Sequence, residues 1–125
     1  MDKARFEQGN PIEDEFIESW NSIERFYDEI AFPSAPQIRT LIATLRDRGY
    51  DRSLRAGQSL WMLVVSRSRH HGLMEDQPRI VFWFLADDGM DVYVNGDREK
   101  RTHAAIELTP DIDALLKTLE AANID

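Results

Sequence analysis

Cysteine is missing from the sequence altogether. That excludes a disulfide framework, a thiolate zinc site and a cysteine nucleophile, and it fits a reducing compartment. Long apolar runs are also missing. The longest, Leu60–Val65 and Ile80–Ala86, fall far short of the ~20 residues that span a bilayer. Charges recur every few residues at the N-terminus, so no signal peptide is expected, and the expected location is the cytoplasm. Glycine-rich phosphate loops, a G-x-S-x-G nucleophile elbow and an H-E-x-x-H metal motif are absent too. Nothing in the pattern calls for a metal or a cofactor.

What is present suffices for one domain: 125 residues, 42% hydrophobic and 10% aromatic. A chain of this size buries enough surface to fold without a staple. The expected organisation is a loose tail over residues 1–9 and a single domain over 10–125.

The net charge of −8 is unevenly spread. Residues 1–38 sum to −6, residues 39–71 to +5 and residues 72–125 to −7. The central island holds Arg39, Arg46, Arg48, Arg52, Arg55, Arg67 and Arg69, and none of the three lysines. Arginine's planar fork suits carboxylate or phosphate and desolvates more readily than an ammonium. Two uses follow: pairing with the chain's own acidic helix, or holding an anionic ligand or acidic partner. The acidic surroundings oppose a long polyanion, so nucleic acid is not an expected partner.

Local pattern gives the elements. "NPIE" opens a helix with Asn10 as cap, Pro11 first and Glu13 third. Ile12, Phe16, Trp20, Ile23, Tyr27 and Ile30 repeat at helical spacing to about residue 30. Ser34 and Gln37 form a capping-box pattern before Ile38, Leu41, Ile42 and Leu45, and Gly49 ends that helix. Strands are expected over Leu60–Ser68, Arg79–Leu85, from Met90 to Asn95, and over Thr102–Leu108. Asp88-Gly89 supplies one hairpin turn and "NGD", Asn95 to Asp97, opens another. Residues 70–78 read as a long mobile loop. Thr109 and Pro110 start a last helix carrying Ile112, Leu115, Leu116 and Leu119. The fold class is α+β: two N-terminal helices, a four-stranded antiparallel meander and a C-terminal helix packed on the sheet.

Two of these strands are apolar on both faces: Trp61, Leu63 and Val65 lie opposite Leu60, Met62 and Val64, and Val81, Trp83 and Leu85 opposite Ile80, Phe82 and Phe84. Either helices cover both faces, the first pair on one side and the last helix on the other, or a partner or second copy covers one, or an apolar ligand does. An uncovered patch should centre on Trp61 and Trp83.

These observations favour a non-enzymatic protein that binds a protein partner or itself. Trp61 and Trp83 would be its apolar contacts, with Arg67 and Arg69 as charged contacts at the strand end. In one version the acidic N-terminal helix masks a basic partner. The alternative is a small enzyme or sensor for an anionic metabolite. Arg52, Arg55, Arg67 and Arg69 would then hold the anion, with His70 or His71 as acid–base near its ordinary pKa of ~6.5.

Overall fold

The computed structural model describes residues 11–69, 77–95 and 100–124. The expected tail, the Asn10 cap, the Gly96–Asp97 part of the second turn, and residues 70–76 of the expected loop, with His70 and His71, lie outside that set. Helix α1 spans Pro11–Glu29 and buries Phe16, Ser19, Trp20, Ile23 and Tyr27. Helix α2 spans Ala35–Asp47 and buries Ala35, Ile38, Leu41, Ile42 and Leu45. It stops where expected: Gly49 takes φ +87° and donates its N–H to Arg46 O at 2.9 Å. A one-turn helix α3, Tyr50–Ser53, follows. The closing helix α4, Pro110–Glu120, is capped by Thr109, whose Oγ1 accepts the Ile112 N–H at 3.4 Å.

The sheet has five strands where four were expected: β1 Arg55–Ser59, β2 Met62–Ser66, β3 Arg79–Phe84, β4 Met90–Val94 and β5 Lys100–His103. They form an antiparallel meander in chain order. Strand β1, "RAGQS", carries no apolar alternation and is secured by α1. Ala56 donates its N–H to Ser19 Oγ at 3.0 Å, and Trp20 Nε1 donates to Leu54 O at 2.9 Å. An edge N–H that water or another strand would otherwise satisfy is thus capped by a side chain. The strand expected from Leu60 begins at Met62, because Leu60 and Trp61 form the two-residue turn that closes the Ser59↔Met62 pair. The strand expected over Thr102–Leu108 leaves the sheet at His103, the partner of Met90. Beyond it, Ile106 drops into the core and Leu108 packs against it.

All four helices among the described residues lie on one face of the sheet. Their buried side chains form a single cluster with Ala56, Leu63, Val65, Ile80, Phe82, Phe84, Met90 and Val92, which are the alternate strand residues of that face. The split of helices over two faces is therefore corrected. The opposite face, with Met62, Val64, Val81, Trp83 and Tyr93, contributes nothing to the cluster. Among the described residues no helix is long and apolar enough to cross a membrane.

A hairpin turn explains Gly89, and Gly57 within β1 gives the contrast. Asp88-Gly89 makes the expected hairpin, with Asp88 at φ +71° and Leu85 N–H bonded to Gly89 O at 2.9 Å. A Cβ on Gly89 would meet His103 O at 2.9 Å, whereas one on Gly57 would meet Val64 O at 3.9 Å. Gly89→Ala is expected to cost about 1–3 kcal/mol, because the clash is with backbone. Gly57→Ala is expected to be neutral or to stabilise by up to ~1 kcal/mol, because glycine is a poor strand residue. Urea midpoints of the two variants measure the contrast.

Tyr27 and Tyr50, both buried, have hydroxyl pKa values pushed upward, first by that burial and, for Tyr50, also by the Asp113 carboxylate bonded to its hydroxyl. An unfolded tyrosine ionises near ~10. A raised folded value means stability is fully present below that pH and lost as pH rises above it. Alkaline titration should therefore show part of the tyrosinate absorbance rising together with loss of circular dichroism; full ionisation in a still-folded chain would contradict this.

Candidate functional site

Pairing register places the two ends of the sheet in different chemical environments. At one end gather the β1–β2 turn (Leu60, Trp61), the β3–β4 turn (Leu85–Gly89) and the α1–α2 connection. Ser34 Oγ ties two of them together, lying 2.9 Å from Asp88 Oδ1 and 3.1 Å from Leu85 O. The capping box expected at Ser34 is overturned by this contact: the hydroxyl makes no cap hydrogen bond to α2. At the other end lie Ser66–Arg69 and the start of β1.

Trp61 and Trp83 belong to the first end. Leu60 is 75% exposed, Trp61 54% and Trp83 47%. Leu63 pairs with Phe82, so one further step of that register brings Met62 beside Trp83. Trp61 is not on a strand face. Its ring stacks on Phe32 (centroids 6.2 Å apart, planes 21° apart), and its carbonyl accepts the Tyr27 hydroxyl at 3.0 Å. Trp83 stands on the helix-free face with Tyr93 at 6.5 Å. Asp91, opposite Trp83 on the helix-free face, is only 6% exposed. It accepts from Thr102 Oγ1 at 2.9 Å and pairs with Lys100 Nζ at 3.3 Å. Strand alternation alone gave no sign of that network, because both partners sit on β5, across the ladder.

Arg67 and Arg69 belong to the other end. Arg67 lies six positions beyond Trp61, about 20 Å of extended chain. Fold geometry therefore keeps the tryptophans and the arginines apart, where the sequence reading had joined them. Arg69 forms a bidentate pair with Glu15, both contacts 2.9 Å, and the hydrogen bonds to Glu15 push its pKa upward. Arg55 Nη1 donates to Arg69 O at 3.1 Å, and Arg67 Nη1 to Ser53 O at 3.0 Å. Arg55 and Arg69, but not Arg67, border a hollow of about 260 Å³ that Glu15 and Glu18 also line. Arg52 is exposed on α3.

The rest of the island is engaged in the same way. Arg46 reaches Glu24 at 2.8 Å, Asp51 at 3.0 Å and Asn21 at 2.9 Å. Arg39 faces Asp28 at 3.6 Å, and Arg48 faces Asp113 at 3.3 Å. His103 has Nδ1 3.1 Å from Arg101 O and Nε2 3.7 Å from Asp111. Among the described residues, no three His, Asp or Glu side chains converge as metal ligands would.

Comparison with protein-family models, with curated proteins and with solved structures found no match for this chain.

The two best-paired arginines differ in environment. Arg46 is mostly buried among three partners, while Arg69 and Glu15 are both over a third exposed. Arg46→Ala is expected to cost about 2 kcal/mol by stranding Asp51 and Asn21, and Arg69→Ala less than about 1 kcal/mol. Chemical denaturation of both variants decides it; equal losses would mean the Arg69–Glu15 pair is a structural clamp.

Proposed function

We propose that this chain is a non-enzymatic interaction domain that binds another protein through the apolar end of its sheet, with Trp61 and Trp83 as anchors. One observation carries the proposal: among the described residues the three most exposed large apolar side chains, Leu60, Trp61 and Trp83, lie toward one end of a sheet that has its helices on a single face. Isolated apolar residues on a surface are ordinary, but two exposed tryptophans at the same end of a sheet are the residue type that anchors partner sites. The arginine-rich strand end has a smaller part in this function, because the Arg69 fork already holds a carboxylate of its own chain.

The test pairs a retention assay with a stability control. Trp61→Ser and Trp83→Ser together should leave the melting temperature within a few degrees, since neither ring belongs to the core cluster. They should also remove specific partners retained by the immobilised wild-type chain, each anchor being worth ~10-fold or more in affinity. Light scattering at low and high salt accompanies it, with a monomer expected. An identical set of partners on the variant would end this proposal; a dimer lost in the variant would make the partner a second copy.

A further inference from the structure

We infer that the Leu60–Trp61 turn is an insertion element for an apolar pocket rimmed by lysine or arginine on the partner protein; this rests on the interaction function proposed above. The first observation is backbone strain without local compensation. Leu60 takes φ +57°. Two-residue hairpin turns need positive φ at this position, which glycine or asparagine supplies at little cost and a branched side chain does not. Strain of this kind persists where other interactions offset it. At 75% exposure, Leu60 gains almost nothing from burial in its own chain.

The second observation is that the neighbouring ring is held in place. The Tyr27 hydroxyl fixes the Trp61 carbonyl, and Phe32 fixes the indole plane. Tyr27 itself is buried and packs edge-on against Phe84 at 5.9 Å, so the mount is part of the core. An exposed aromatic on a rigid mount loses little entropy on docking.

The third is the charge around the turn. Asp28 and Glu29 end α1, and Asp87 and Asp88 occupy the β3–β4 turn; all four are exposed. Arg39 answers only Asp28. Two copies meeting through this end would bring like charges together, and a bilayer surface offers these carboxylates no attraction. A cationic rim around an apolar pocket complements both the charge and the wedge.

The experiment places a photo-crosslinking benzoylphenylalanine at Ser59, beside the turn, in the full chain and identifies the captured protein. That protein is purified and its binding followed by interferometry. Leu60→Asn is expected to raise the melting temperature by about 3–5 °C while weakening binding ~10-fold or more. Glu29→Gln with Asp87→Asn, which keeps the acceptor oxygens, should slow association about 3- to 10-fold at low salt and not at high salt. A Leu60→Asn variant that binds normally, salt-independent binding, capture of this same chain, or co-sedimentation with phosphatidylcholine vesicles overturns the inference. Capture of no protein at all, together with unchanged retention by the Trp61/Trp83 variant, removes the interaction function itself. A partner that is lost from that variant but is indifferent to Leu60 and to salt removes only the pocket chemistry.

Discussion

A sheet with every described helix on one side buries against them only every second residue of its strands, and this constraint shapes the rest of the molecule. In β3, Ile80, Phe82 and Phe84 point into the helices, and the register carries the same face through Leu63 and Val65 on β2 and Met90 and Val92 on β4. The odd-numbered residues of β3 are then left to the other face however apolar they are, and Trp83 is the extreme case. An apolar outer set on β2 and β3 is therefore a property of the surface and not a second core. Edge strands β1 and β5 carry few apolar residues, which confines the outer apolar area to the middle of the sheet and to the turn that joins β1 to β2.

The same constraint accounts for the charge pattern. Helix α1 is acidic because its outward face is solvated, and it lies along β1, where it meets the arginines of α2 and of the β2 end. Folding thereby brings Glu15 to Arg69, and Glu24 to Arg46. Segregation that looks like a binding surface along the chain becomes pairing in space. Most of these pairs are solvent-exposed and contribute little each; Arg46, shielded and bonded to three partners, is the exception that matters for stability. The arginines that end the apolar run of β2 serve that closure: Arg67 and Arg69 fasten the strand end to α3 and α1.

Local signals made the helices legible. Pro11, Thr109 and the left-handed Gly49 mark their ends through chemistry that needs only a few neighbours. Non-local contacts account for what was not legible. Strand β1 has no periodicity because α1 satisfies its edge from 37 residues away. Ser34 has the sequence of a cap but the geometry of a tether, because Asp88 lies within reach only after folding. The Leu60–Trp61 turn has the pattern of a strand because both residues favour strands and neither favours positive φ. Trp61 and Trp83 lie toward the same end of the sheet, one on a turn against Phe32 and one on the helix-free face beside Tyr93.

The mismatch at that turn bears on what the surface is for. A turn whose residues contradict its own backbone preference is a local conflict, and folded chains are consistent across levels except where something beyond folding sets the residue. The conflict at Leu60 is accompanied by exposure, a fixed aromatic neighbour and a concentration of carboxylates. At the opposite end of β2 local and global preferences agree, and the charged groups are paired. The two ends therefore differ: Arg67 and Arg69 are tied into the fold at one, while Leu60, Trp61 and four carboxylates stay exposed at the other.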